Sequence, residues 1–118
     1  MIVVRNREVQ DRWLLELQLW AVSQGITSWL IDLCPYEECR VAGIVDRLVI
    51  DPTMSVIRAF VNDGTGTVVA DWAIRRPTPE LALCPGRAVV LEGIAGVEIN
   101  GLVLHEPSFE TVSFPEVA

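Results

Sequence analysis

Two runs of alternating apolar and polar residues, joined by a turn rich in glycine, constrain the fold of this chain more than any other feature. The runs cover residues 55–62 and 67–72, and an Asp-Gly-Thr-Gly turn at residues 63–66 connects them. A period of two is typical of β-strands with one buried face, so the pattern predicts a hairpin with an inner and an outer side. The predicted inward side chains are Ile57, Ala59, Val61, Val68, Ala70 and Trp72, and the predicted outward side chains are Arg58, Phe60, Asn62, Thr67, Val69 and Asp71.

Three further segments have the composition of strands. Residues 40–50 are rich in valine and isoleucine, and residues 87–99 and 102–112 flank Asn100-Gly101, with Pro107 near the end of the last segment. Asn-Gly predicts a second hairpin, because both central residues of a type I′ turn require a positive φ. A proline-rich loop links the two hairpins. Five short strands must hide their edges, so the sequence predicts a mainly β fold, a small closed or nearly closed barrel.

The first 39 residues follow a helical pattern. Apolar residues at helical spacing predict a helix over residues 8–22, with Gly25 as a stop, and residues 26–39 are predicted as a second short helix or an irregular connector. The residues that carry this spacing are Val9, Trp13, Leu17 and Trp20. The predicted organisation is a helical extension over residues 1–39, a barrel over 40–112 and a tail over 113–118.

The apolar surface of the predicted helix is wider than one stripe, because Leu14, Leu15, Leu19 and Val22 extend it. Two interpretations follow: the helix packs on its own domain, or it also binds a second copy or another protein. The mean hydropathy of +0.38 is high for a small domain, which exposes much of its surface. It therefore favours an apolar surface buried against a partner or a second subunit.

The charge balance limits the classes of partner. Nine basic residues, all arginine, stand against 16 acidic ones, and the net charge is −7. This balance excludes a protein that holds nucleic acid through a broad basic field. No segment has the length and apolarity of a membrane span, and residues 1–12 do not resemble a secretory signal. We predict a cytoplasmic protein without membrane attachment.

Chemistry-bearing residues are few. The chain has three cysteines, Cys34, Cys39 and Cys84, and an odd number favours reduced thiols over disulfides. Together with His105 they could supply four zinc ligands, but the closely spaced Cys-x-x-Cys pair and the second paired knuckle of a zinc site are absent from the sequence. A carboxylate cluster of Asp46, Asp63 and Asp71 is another conceivable metal site, but the turn already accounts for Asp63. The sequence contains no nucleophile elbow, phosphate-binding glycine loop or His-Glu-x-x-His motif. We therefore predict no metal, no cofactor and no enzymatic activity.

Several motifs resemble those of OB-fold nucleic-acid-binding domains, over residues 40–112. The motifs are Val41-x-Gly43-x-Val45, Asp63-Gly64-Thr65-Gly66 before Val68-x-Ala70-x-Trp72, Pro85-Gly86-Arg87 before Val89-Val90-Leu91-Glu92-Gly93, and Asn100-Gly101 before His105-Glu106-Pro107-Ser108-Phe109-Glu110. The sequence is most similar to the wedge domain of branch-migrating DNA helicases and to small stand-alone actinobacterial OB-fold proteins. The resemblance implies a five-stranded Greek-key OB barrel preceded by the helical segment.

The resemblance also implies a ligand-binding surface on the outer side of strands two and three. Placed on the alternation above, that surface carries Arg58, Phe60 and Asn62, flanked by Arg47, Arg75 and Arg76. An exposed aromatic beside an arginine suits weak binding of single-stranded or junction DNA or RNA. The alternative is a protein-interaction or oligomerisation module, in which the barrel and the helix at 8–22 bind a protein partner or a second copy.

Overall fold

A helix followed by short strands makes up the described part of the chain. A computed structural model describes residues 7–74, 83–99 and 101–112, with side chains from residue 15 to residue 111 of those ranges. The helix α1 (Arg7–Ser23) and a 3₁₀ turn (Leu30–Asp32) come first. The strands are β1 (Glu38–Asp51), β2 (Val56–Asn62), β3 (Thr67–Ala73), β4 (Ala88–Glu98), β5 (Gly101–His105) and β6 (Ser108–Val112).

The strands close into the barrel that the sequence predicts. Hydrogen bonding runs in the order β1-β2-β3-β5-β4, and β4 pairs back onto β1. The β3–β5 pair is parallel and the other pairs are antiparallel. This connectivity is the Greek key of a five-stranded OB barrel. The fold class predicted from the sequence is confirmed.

The predicted last strand, residues 102–112, is divided in two. β5 pairs with the end of β4 and β6 with its beginning, on the edge of β4 opposite β1. Glu106 and Pro107 lie between them, and Glu106 has a φ of +50°. Pro107 has no N–H to donate to a sheet ladder, which explains the interruption. The two strands therefore act as one barrel strand with a break.

The predicted alternation of β2 and β3 is confirmed. The inward residues of both strands are buried, whereas the outward ones are half-buried or, at Thr67, exposed. Trp72 lies in the core, where its indole Nε1 donates a hydrogen bond to the Pro107 carbonyl at 2.9 Å and its ring meets Phe109 edge-on at 5.4 Å. The indole therefore ties β3 to the break after β5, and it is absent from the outer face.

Helix α1 packs on the outside of the barrel over β1 and β4. Its buried residues Leu17, Trp20 and Ala21 contact a small apolar patch on those strands. The patch consists of Ala42, Ile44, Ala88 and Val90. The first half of β1 is therefore buried on both sides, by the core and by the helix. Within the described residues, no helix is long and apolar enough to cross a bilayer.

Asp63 connects the β2–β3 turn to the 3₁₀ turn. The carboxylate is 1% exposed, and its Oδ2 accepts a hydrogen bond from the Leu30 N–H at 2.9 Å. Its Oδ1 accepts hydrogen bonds from the Thr65 N–H, the Thr65 hydroxyl and the Gly66 N–H. The sequence predicts the local bonds of this turn, and they are confirmed; the bond to Leu30 fixes the segment between helix and barrel.

Candidate ligand-binding face

The outward side chains of β2 and β3 form one continuous surface, which we call the β2–β3 face. It consists of Arg58, Phe60, Asn62, Thr67, Val69 and Asp71. In the described part of the chain, α1 packs on β1 and β4, away from this surface. The side chains of the β2–β3 face are half-buried, or exposed at Thr67, along strands that the barrel holds in register.

Arg47 joins this face because of a β-bulge. The register between β1 and β2 shifts at Asp46, so that Val45 pairs with Val61 and Arg47 pairs with Phe60. Regular alternation from the buried Val45 would direct Arg47 inward, and the extra residue turns it outward. The Arg47 guanidinium carbon lies 4.1 Å from the centre of the Phe60 ring. This cation–π pair stacks an exposed arginine on a half-buried ring at the face.

Arg58 and Asn62 are each held by local contacts. The Arg58 guanidinium lies 3.7 Å from the Asp51 carboxylate, at the end of β1. The Asn62 side-chain oxygen accepts a hydrogen bond from the Gly64 N–H at 2.6 Å, which fixes the amide against the turn. Arg58 therefore stands next to the Arg47–Phe60 stack with a loose ion pair, whereas Asn62 serves the turn as well as the face.

The structure brings together four of the six predicted site residues. Arg47, Arg58, Phe60 and Asn62 lie on adjacent strands, with Arg47 and Phe60 in direct contact. Arg75 and Arg76 lie outside the described residues, as does Asn100 of the predicted second turn. Glu98 and Gly101 pair across that hairpin, so Gly101 is the first residue of β5 and the prediction that it is a central residue of the turn is wrong.

A histidine and two carboxylates meet at one side of the β2–β3 face. His105 Nδ1 lies 2.7 Å from Asp71 Oδ1, and His105 Nε2 lies 3.1 Å from Glu98 Oε1. Sequence reasoning did not find this group, because it depends on the parallel pairing of Asp71 with His105 across β3 and β5. The one signal in the sequence was the alternation of residues 67–72, which predicts that the Asp71 side chain lies on the outer side of the strand. The surface therefore has a basic and an acidic part.

The metal sites considered from the sequence are not assembled among the described residues. In that part of the chain, one group of three side chains has its potential metal-ligand atoms within 4.8 Å of one another. Its members are Asp71, Glu98 and His105. Cys34 and Cys84 are exposed, whereas Cys39 is buried. Burial raises the pKa of the Cys39 thiol, which keeps it protonated and unsuited to metal binding.

Comparison with known proteins supports the fold. No protein-family model and no curated protein matches the sequence. Among solved structures, three OBodies, OB-fold scaffold proteins each bound to hen egg-white lysozyme, match with TM-scores of 0.58, 0.61 and 0.61. Their sequence identities are 23%, 22% and 20%. The matches cover 74%, 76% and 76% of this chain, and 93%, 97% and 96% of theirs. The likeness establishes an OB-like barrel.

Proposed function

We propose that this protein binds single-stranded nucleic acid weakly, on the β2–β3 face. The observation that carries the proposal is the stack of Arg47 on the half-buried ring of Phe60 on that face. Bases stack on aromatic rings and on guanidinium planes, and arginine also contacts phosphates. Arg58, two residues before Phe60 on the same face, supplies a second cation.

The charges of the face determine the strength of binding. Arg47 and Arg58 can neutralise about two phosphates, which gives a slope of log affinity against log salt of roughly −1 to −2. Asp71 pairs across the strands with Arg58 and, together with Glu98, repels phosphate, which reduces the attraction of the two arginines. Binding is therefore expected to be measurable at low salt, to rest on stacking, and to fade at physiological salt.

Phe60→Ala is expected to weaken binding of a single-stranded oligonucleotide roughly 5- to 150-fold, the equivalent of about 1–3 kcal/mol per stacked base. Arg47→Lys is the matched variant, since it keeps the charge and loses the planar stack. Fluorescence anisotropy titrations at two salt concentrations measure both effects. Tyr36→Ala, an exposed aromatic outside the β2–β3 face, serves as control and leaves affinity unchanged. Equal affinity of the wild type and Phe60→Ala, or no binding at low salt, contradicts the proposal.

A second candidate function is self-association through α1. Leu15, Leu19 and Val22 are 57%, 62% and 59% exposed, and their spacing places them on one stripe of the helix. The stripe lies away from the residues that pack on the barrel, so the helix has two apolar sides. Apolar surfaces of this kind mark interaction sites. The OBodies are bound to a protein, lysozyme, which agrees with protein binding by an OB barrel.

Leu19→Glu is expected to convert a dimer into a monomer, because a charge in the middle of the stripe cannot be buried against a second copy. Light scattering coupled to size-exclusion chromatography at about 100 μM reports the mass. Met54→Glu makes the same kind of change at an exposed apolar residue outside the helix and is expected to leave the mass unchanged. A wild-type monomer at that concentration argues against self-association.

A further inference from the structure

Three adjacent strands hold His105, Asp71 and Glu98 within contact distance at one side of the β2–β3 face. Asp71 and His105 are register partners of the parallel β3–β5 pair, and Glu98 ends β4 beside them. One ligand atom from each residue lies within 4.8 Å of the others. Because hydrogen-bonded strands carry all three residues, the barrel sets the spacing of their backbones.

The imidazole of His105 faces a carboxylate oxygen at both nitrogens. A neutral imidazole carries one N–H and one lone pair. When Nδ1–H donates to Asp71 at 2.7 Å, Nε2 carries the lone pair and lies 3.1 Å from Oε1 of Glu98. Two potential ligand atoms, Nε2 and Oε1, therefore lie close together, and one cation can bind both of them.

The distance between these two atoms suits a zinc ion. Zinc binds histidine nitrogen and carboxylate oxygen at about 2.0–2.2 Å, so that neighbouring ligands of a tetrahedral site are roughly 3.3–3.5 Å apart. The separation of 3.1 Å between His105 Nε2 and Glu98 Oε1 is a few tenths of an ångström short of that. A small side-chain rotation of Glu98, which is 53% exposed, supplies the difference.

The remaining contacts fix the ring for this role. The Asp71 side chain is 16% exposed and accepts the Nδ1–H, an arrangement in which a carboxylate orients a metal-bound histidine. Gly96 lies beneath the ring, and a Cβ there would lie 3.5 Å from His105 Cδ2. The ring therefore has space against β4. His105 is 51% exposed, which leaves outer coordination positions to water or an anion.

We propose that His105 Nε2 and the Glu98 carboxylate bind one zinc ion, and that Asp71 is the positioning residue that holds the ring. From the sequence we predict no metal; that prediction considers His105 only together with the cysteines and Asp71 only together with Asp46 and Asp63, and it does not consider the combination of His105, Asp71 and Glu98. The site does not depend on what the β2–β3 face binds, because its ligands belong to the free protein.

His105 is the single histidine of the chain, so its imidazole signals in a ¹H–¹⁵N spectrum report this site alone. The experiment uses the full chain without a tag, in a Cys34→Ser/Cys84→Ser background, because exposed thiols also bind zinc. Zinc titration is expected to shift the Nε2 resonance at one equivalent per chain. Glu98→Gln is expected to lower the zinc affinity at least about tenfold.

Asp71→Asn is expected to weaken zinc binding about 10- to 100-fold and to change the tautomer signature of the ring in the zinc-free protein. Glu37→Gln removes one exposed carboxylate elsewhere and is the matched control, with unchanged affinity. The proposal is overturned if millimolar zinc leaves the His105 resonances in place. It is also overturned if Glu98→Gln binds zinc as tightly as the parent.

Discussion

Asp63→Ala is expected to lower the free energy of unfolding by about 3–5 kcal/mol. The substitution removes a carboxylate that is 1% exposed and leaves the Leu30 N–H without its acceptor. Hydrogen bonds to a charged group contribute about 1.5–3 kcal/mol each, and a buried donor without a partner costs about 1–3 kcal/mol. The loss is a large part of the total stability of a small domain, about 5–15 kcal/mol.

Thermal and urea unfolding followed by circular dichroism measure this change, which corresponds to a fall in melting temperature of roughly 10–20 °C. Asp51→Ala is the matched control, because Asp51 also accepts two backbone hydrogen bonds, from Thr53 and Met54, but in an exposed turn. We expect Asp51→Ala to lower the free energy of unfolding by about 1 kcal/mol. Amide exchange at Leu30 separates the two variants further, since only Asp63→Ala releases the 3₁₀ turn. Equal losses in the two variants would contradict the tertiary role of Asp63.

Gly43→Ala is expected to lower the free energy of unfolding by about 2–4 kcal/mol, because β1 crosses β2 too closely for a side chain. A Cβ at this position would lie 2.6 Å from the Asn62 carbonyl oxygen and 2.9 Å from Val61 Cγ1. The nearest atom is backbone, so a rotamer change cannot relieve the clash. At the next residue, Ile44, β1 passes from pairing with β4 to pairing with β2, and the close approach closes the barrel.

Gly96→Ala is the matched control for this substitution. It also lies in a strand with φ outside the left-handed region, and its Cβ would have its nearest neighbour at 3.5 Å. We expect Gly96→Ala to change the free energy of unfolding by no more than about 0.5 kcal/mol. Alanine lowers the conformational entropy of the unfolded chain, and this stabilisation offsets the cost of a small displacement of the His105 ring. Denaturant unfolding measures both variants: a shift of the midpoint with an unchanged m-value reports a change in the free energy of unfolding. A Gly43→Ala midpoint equal to that of Gly96→Ala would refute the close approach.

Much of the fold could be predicted because its signals are local. Alternation over residues 55–72 gave the correct inner and outer sides of β2 and β3, and the Asp-Gly-Thr-Gly turn gave their connection. Helical spacing gave α1 to within a residue at each end. A period of two or 3.6 and the dihedral needs of a turn are properties of a few consecutive residues, and no tertiary contact has to be known to use them.

The candidate site was predictable only in part. Phe60 and Arg58 follow from the alternation, and a resemblance suggested that their face matters. The group at His105 could not be predicted, since Asp71 and His105 are 34 residues apart and meet only when β3 and β5 pair in parallel. Parallel pairing has no local sequence signal, because the partners are joined through a crossover and not by a turn.

The sequence by itself determined which segments are extended, which sides of β2 and β3 are apolar, and where the turn between these two strands lies. The tertiary structure decided which outward residues share a surface. The bulge at Asp46 directs Arg47 onto Phe60, and barrel closure sets Glu98 beside His105. The physical reason is that one residue of register shift moves a side chain to the other face of a sheet, and register in a closed barrel is set by all the strands together.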